Sequence, residues 1–231
     1  WFINTVTESA FENQQEVVQN EKRQRVDNNP YGHTGWVIDK AIYPQGHPYN
    51  WQVIGELVDL QSATVADVRE FYEKFYGPNN ATLVLVGDFE TDQAKAMIEK
   101  YFGEVKRGQE VPKLSPMRTT LEQSKRLYHE DNFATTAQLN MVWPTLEQYT
   151  DDAYALNVLA ELISRGKNAP LYKVLEKEEG LSSSYYSFNR SADLAGVFRI
   201  SVTANDGKSL KDVEAGVNEA FALFEKDGVT D

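Results

Sequence analysis

The chain has 231 residues, a formal net charge of −12 and no cysteine. That length suits one large domain or two modest ones, and the acidity argues against nucleic acid and anionic membrane surfaces as partners. The missing thiols exclude disulfides and thiolate metal ligands, and no apolar run reaches the roughly 18 residues of a membrane span.

The first element reads as a helix over residues 9–27. Ser9 and Glu12 have the S-x-x-E spacing of a capping box. Ala10, Phe11, Val17 and Val18 then fall on one side at helical spacing, with Gln14 and Glu21 placed on the same seam. Asn28-Asn29-Pro30-Tyr31-Gly32 is a turn. Residues 36–61 are mixed and broken by Pro44, Gly46, Pro48 and Gly55; His47 in this stretch reads as a loop packing residue, and no chemistry is assigned to it. Thr64 and Asp67 open a second helix whose stripe of Val65, Val68, Phe71, Tyr72, Phe75 and Tyr76 reads as core. After the turn at Gly77-Pro78-Asn79-Asn80, the apolar run 81–86 reads as a buried strand. Thr91 caps a third helix with Ala94, Met97, Ile98, Tyr101 and Phe102 on one face, ended by Gly103.

Residues 106–116 carry Gly108, Pro112 and Pro116 among charges, as linkers do. The resulting division is 1–107, a linker at 108–116, and 117–231. Beyond the linker, 124–129 and 136–143 read as strands, the second ending at Pro144. Asp151 opens a helix carrying Ala153, Leu156, Leu159, Ala160 and Ile163, closed near Gly166. Asn168 and Pro170 open a short helix that ends at Gly180. Residues 184–189 and 197–203 alternate as strands, and 209–226 is a last amphipathic helix. Both halves share an order of helix, strand and closing helix, with 81–102 and 197–224 the clearest counterparts. The fold class is α+β: a duplicated unit whose antiparallel or mixed sheets are covered by helices on one face.

Glu21 is the residue that needs explaining, because a carboxylate on an apolar seam is costly unless it is paired or coordinated. One explanation is that the helix leaves the core there, since Gln24 and Arg25 continue the seam in polar form and Lys22 or Arg25 can pair with the acid. The other is metal ligation, for which carboxylate oxygen is an ordinary Zn²⁺ donor. Periodicity does not decide between them.

The stretches EVVQNEKRQRVDNNPYG, HPY at His47–Tyr49 and FYEKFYGPNNATLVLVGDF at Phe71–Phe89 resemble, in this order, the pitrilysin/insulinase (M16) family of zinc metallopeptidases, relatives of the mitochondrial processing peptidases. The resemblance covers nearly the whole chain. It implies two related α/β units of the processing-peptidase-like (LuxS/MPP-like) metallohydrolase fold, the first truncated at its N-terminus and carrying the metal. In that family a helical H-x-x-E-H supplies two His ligands and a general-base Glu, and a Glu in a V-x-x-E context on a later helix is the third ligand. Here that context is Val18-Gln19-Asn20-Glu21, so the resemblance puts the zinc ligand at Glu21. The family commonly has a Glu seven residues earlier, where this chain has Gln14.

The H-x-x-E-H is absent. The histidines are His33, His47 and His129, and no two are four apart. The pattern is expected upstream of Trp1, which makes the chain a piece of a longer peptidase. The apolar Trp-Phe-Ile opening without an initiator Met and the stop at Thr230-Asp231 fit a cut piece. The resemblance further implies an Arg and a Tyr seven residues apart that grip the substrate carbonyl in active partner domains. Glu176 and Ser183 stand at those positions here, so the second unit reads as non-catalytic, and the substrate-gripping pair is expected from later repeats of the same chain or a second subunit.

The expectation is therefore part of a zinc metalloendopeptidase that cleaves peptides or unfolded segments inside a clamshell chamber, with one zinc in the intact protein, no catalytic residue in this piece, and no activity of its own. Bacterial periplasm and cytoplasm both fit. The competing classes are a non-catalytic processing-peptidase-like core or docking subunit, and an α+β interaction module of other ancestry.

Overall fold

The computed structural model describes residues 6–229, so both chain ends discussed above lie outside it. In chain order the elements are α1 (Glu8–Lys22), α2 (Thr34–Ile42), α3 (Leu57–Ser62), α4 (Val65–Phe75), α5 (Thr91–Phe102), β1 (Gln138–Thr145), α6 (Asp151–Ser164), β2 (Ser184–Ser191), β3 (Gly196–Thr203) and α7 (Leu210–Asp227). Two π-helical stretches, Arg23–Asp27 and Tyr172–Glu178, stand beside them. The chain forms two compact units. One joins the residues up to Lys22 with Ile54–Lys113, and the other joins Arg23–Val53 with the residues from Leu114 onward.

The second unit holds the sheet. Its three strands are antiparallel in the order β1-β3-β2, with Trp143 opposite Phe198 and Tyr185 opposite Val202. All three lie within about two residues of the expected runs because the alternation that marks them is the alternation the pleat requires. Pro144, expected to end β1, sits inside it opposite Val197. A proline is tolerated there because β1, among the described residues, is an edge strand paired with β3 alone.

Central β3 is buried along both faces. On one, Phe198, Ile200 and Val202 join Leu171, Val174, Leu175, Val213 and Val217 in the main core beneath α6 and α7. The helix starts there are set by side-chain caps. Thr150 accepts from the Ala153 amide at 3.4 Å, and Ser209 accepts from the Asp212 amide at 3.1 Å. The short helix read after Pro170 winds as the π-helical stretch Tyr172–Glu178. Gly216 lets α7 approach it, because a Cβ there would come within 2.8 Å of Leu175 and Leu181.

The other face of the sheet is covered from the N-terminal half of the sequence. Ile42 and Tyr43, at the end of α2, pack with Ala195 and Val197. Sequence reading saw no helix at residues 34–42, and this helix is why Arg23–Val53 belongs to the second compact unit. Between strands, Asn140 accepts from the Arg199 guanidinium at 2.7 Å and from the Ser201 hydroxyl at 2.8 Å, so the polar residues of that face are paired.

The first unit contains α1, α3, α4 and α5. Asp67 caps α4 as expected: its carboxylate accepts from the Thr64 amide at 2.8 Å and Thr64 Oγ1 accepts in return from the Asp67 amide at 3.3 Å. The turn at Gly77–Asn80 is clasped to Gly108 and Gln109. Asn79 accepts from the Gly108 amide at 2.7 Å and donates to the Gln109 carbonyl at 3.0 Å. The two backbones touch where both residues are glycine, since a Cβ on Gly77 would fall 2.6 Å from the Cα of Gly108.

Several expectations are corrected here. Residues 81–86 and 124–129 are not strands. A strand exists by its ladder, and among the described residues neither segment has a ladder partner; Val84 is 74% and Val86 93% exposed. The α4 stripe packs largely on itself, with Tyr72 stacked on Tyr76 at 4.2 Å and Phe71 against Phe75 at 4.7 Å, and leaves Phe71 and Tyr76 exposed. Thr91 begins α5 without a side-chain cap, and Gly103 ends it at an ordinary φ of −62°.

Leu175 is fully buried at the centre of the main core. Leu175→Ala is expected to cost about 2–5 kcal/mol, through lost transfer energy plus the cavity left behind. Urea denaturation followed by circular dichroism measures it.

Candidate metal centre

Glu21 lies in the last turn of α1 and is half-buried. The helix is real, but its buried seam is rotated from the expected one. Phe11, Gln15, Val18 and Lys22 face inward, while Ala10, Gln14 and Val17 are exposed. The start also differs: Thr7, not Ser9, caps the helix, its Oγ1 accepting from the Ala10 amide at 3.2 Å. Gln15 Nε2 donates to the Leu60 carbonyl at 2.5 Å, fixing α1 against α3. Lys22, only 7% exposed, faces Glu56 at 3.9 Å. Beyond Lys22 the helical run widens into the π-helical stretch Arg23–Asp27, a local form that recurs at functional sites.

Among the described residues no group of three or more His, Asp or Glu is placed to hold a metal ion. Glu21 is thus a single donor, and the residues present do not by themselves fit a zinc ion. The nearest approach to a cluster is elsewhere, around a cavity of about 140 Å³ in the second unit. There His33 Nε2 is 3.7 Å from Asp27, and the His33 and His129 rings lie 5.5 Å apart, without a third convergent ligand.

His47 has a role that sequence reading missed. It is 3% exposed and stacked on Tyr43 at 4.6 Å. Its Nδ1 accepts from the Tyr49 amide at 3.0 Å, which leaves Nε2 to donate to the Met117 carbonyl at 2.8 Å. The neighbouring bonds continue the fastening: the Tyr49 hydroxyl accepts from the Leu194 amide at 3.2 Å, and the Met117 amide donates to the Leu194 carbonyl at 2.7 Å. The His-Pro-Tyr segment therefore fastens Met117 and Leu194 within the second unit. The sequence offered one signal, a Pro-fixed 3₁₀ turn behind a histidine; the partner at Met117 is 70 positions away.

Two further pairings secure the same unit. Arg118 Nε and Nη2 form a two-pronged pair with Glu147 at 2.6 and 2.8 Å. The Arg118 guanidinium holds the Glu147 carboxyl down at about 2. Tyr31, at a left-handed φ of 60°, donates its amide to Asp131 at 2.7 Å and its hydroxyl to the Thr136 carbonyl at 2.7 Å. Asp131 also accepts from the Phe133 and Ala134 amides, and these hydrogen bonds lower its pKa. Asp39 on α2 is a buried acid; burial raises its pKa, against Arg190 at 4.0 Å and the Gln52 amide, which donates to it.

The positions expected to be non-gripping are occupied by structural contacts. Tyr185 donates to Glu176 at 3.0 Å, and burial together with Glu176 pushes the Tyr185 phenol up to about 12. Ser183 contacts Asn205.

These features define an α+β chain in which no metal-holding cluster stands among the described residues. The chain belongs to the M16 peptidase family: residues 62–231 match the family described as the Peptidase M16 inactive domain. The zinc protease PqqE of Helicobacter pylori is 28% identical over 227 residues, which cover 95% of this chain and 49% of that protein. The probable inactive metalloprotease YmfF of Bacillus subtilis is 25% identical over 179 residues, covering 77% of this chain and 40% of that protein. The crystal structure of a protease from Helicobacter pylori shares the fold, with a TM-score of 0.85 at 24% identity, over 98% of this chain and 55% of that one. The chain thus spans about half the length of the relatives it matches most fully. No helix among the described residues is long and apolar enough to cross a membrane.

His47→Ala is expected to cost about 1–3 kcal/mol, because the Met117 carbonyl and the Tyr49 amide lose their partners; thermal and urea unfolding measure it. Arg118→Gln should return the Glu147 carboxyl from about 2 towards its ordinary 4.5, read by carboxyl-carbon NMR titration. The sign follows from a depressed folded-state pKa. The stabilisation is in full above about pH 4.5 and is lost as pH falls towards about 2, so wild type and variant should converge in stability at the acid end.

Proposed function

We propose that this chain is part of a zinc-dependent metalloendopeptidase acting on peptides or unfolded segments, in which Glu21 is one protein ligand of the zinc. The observation that carries the reading is the family match over residues 62–231 together with the near-complete alignment to a relative named zinc protease. Glu21 supports it by its place, half-buried in the last turn of α1, next to the buried Lys22 and just before the π-helical stretch. Since the residues here supply a single donor, the remaining ligands and the general base belong to chain outside the described residues. The role of Glu21 is then one anionic oxygen and its charge, with no part in proton transfer. Peptide substrate and a second set of homologous units, in the same chain or another subunit, complete the proposal. We also propose the homologous-domain limits at 1–107 and 117–231, with the linker at 108–116.

A second reading has specific support: a processing-peptidase-like subunit that keeps the fold without activity. Gln14 replaces the commonly acidic position, and one relative bears the name probable inactive metalloprotease. The reading frame before Trp1 separates the two, by the presence or loss of H-x-x-E-H.

The chain alone is expected to show no peptidase activity and no tight zinc binding; stoichiometric uptake at neutral pH in isothermal titration calorimetry contradicts the proposal. In the parent protein, Glu21→Gln should lower zinc content and activity together, by more than the roughly 10–100-fold that losing an outer partner of a ligand costs. Unchanged zinc content in that variant removes Glu21 from the metal.

A further inference from the structure

Residues 110–116, Glu-Val-Pro-Lys-Leu-Ser-Pro, form neither helix nor strand. Both flanks of the stretch are pinned. Upstream, Asn79 holds Gly108 and Gln109. Downstream, the Met117 amide donates to the Leu194 carbonyl, and the Met117 carbonyl accepts from His47. Between these points, among the described residues, no hydrogen bond reaches residues 111–116. Lys113 and Leu114 stand at the middle and are exposed, Leu114 by 61%. Pro112 and Pro116 favour an extended backbone, and the residue before each is biased the same way.

An exposed, extended stretch with unpaired backbone groups suits the cleft of an endoprotease, which pairs with its substrate as with an added strand. The ammonium of Lys113 is held by no ion pair or hydrogen bond among the described residues. Other exposed basic residues outside the helices and strands are less available. Lys106 and Arg107 run straight into the clasped Gly108. Arg118 follows the pinned Met117 and is paired with Glu147. Lys125 donates to the Ala41 carbonyl at 2.7 Å, and Arg126 is paired with Glu214. Lys167 stands in a tight turn just before buried Ala169, and Lys208 donates to the Glu179 carbonyl at 3.2 Å.

A cut after Lys113 releases neither piece, because residues before the bond grip residues after it inside the second unit. Ile42 and Tyr43 pack with Ala195 and Val197. Tyr31 is bonded to Asp131 and Thr136, His47 to Met117, and Tyr49 to Leu194.

We propose that the Lys113–Leu114 bond is a processing site for a trypsin-like serine protease, whose specificity pocket carries a carboxylate for a basic side chain, and that the processed protein persists as a two-chain complex. The step is hydrolysis. Water adds its oxygen to the Lys113 carbonyl carbon, the C–N bond breaks, and Lys113 ends as a carboxylate and Leu114 as an ammonium group. The inference goes beyond the peptidase reading and needs neither metal nor Glu21.

The test treats the 231-residue chain with a trace of trypsin under native conditions, read by intact mass spectrometry and by size-exclusion chromatography with light scattering. The first products are expected to be 1–113 and 114–231, eluting together at the mass of the uncut chain and parting only in urea. Lys113→Gln should slow the first cut at least about tenfold, since the carboxylate of the protease pocket is then left unpaired. Leu114→Pro, which keeps the lysine and alters the leaving side, should slow it likewise. Circular dichroism confirms the fold of each variant. A first cut elsewhere, equal rates for wild type and Lys113→Gln, or elution of the two pieces as separate particles each overturns the inference. Because neither zinc nor the chain's own hydrolysis is read, these outcomes stand apart from failure of the peptidase proposal.

Discussion

The two-sided burial of β3 is the constraint on which the second unit depends. A central strand with both faces out of water needs apolar or fully paired side chains on each face, and something to cover each. On one face α6, α7 and the π-helical stretch supply the cover, and the apolar residues at 198, 200 and 202 meet them. On the other stand apolar Val197 and polar Arg199 and Ser201, and the cover is α2 with Tyr43. Asn140 pairs the polar members, and Asp39 on α2 finds Arg190 and Gln52. The sheet therefore cannot be closed by the C-terminal half of the sequence alone. The recruitment of Arg23–Val53, the anchoring by His47 and the clamp at Tyr31 all serve this one requirement.

Where sequence and structure agree, a local rule and a tertiary need coincide. Residues 184–191 and 196–203 carry the aromatic and β-branched side chains that a covered pleat accommodates, and α4, α6 and α7 begin at Thr64, Thr150 and Ser209, side chains able to satisfy orphan amides. Agreement fails where partners are distant. The seam of α1 was read from Ala10, Phe11, Val17 and Val18, yet Ala10 and Val17 are exposed and the inward face uses Gln15 and Lys22, long side chains whose heads reach Leu60 and Glu56. The run at 81–86 has every compositional mark of a strand, and composition does not supply the neighbour that a ladder needs. His47 packs in its loop as read, buried and stacked on Tyr43, but its acceptor at Met117 was not foreseen because it stands far along the chain.

The candidate site was legible in a narrower sense. Glu21 drew notice as an acid on an apolar seam, and its V-x-x-E setting linked it to zinc peptidases. The family match and the fold bear out that kinship. A metal set was not legible, since a constellation of ligands is a property of space, and none is assembled among the described residues. The second unit tells a complementary story. Its gripping positions hold Glu176 and Ser183, and both are engaged in local contacts.

The same arrangement bears on self-association. The two edges of the sheet are not alike: β1 carries Pro144, whose nitrogen has no proton to give, while β2 is free of proline along its length. An exposed ribbon of that kind invites a copy of itself in crowded solution, the first step towards fibres. Two identical ribbons meeting there would each bring a positive guanidinium to the shared border. Arg190, 60% exposed, therefore discourages homotypic stacking by like-charge repulsion.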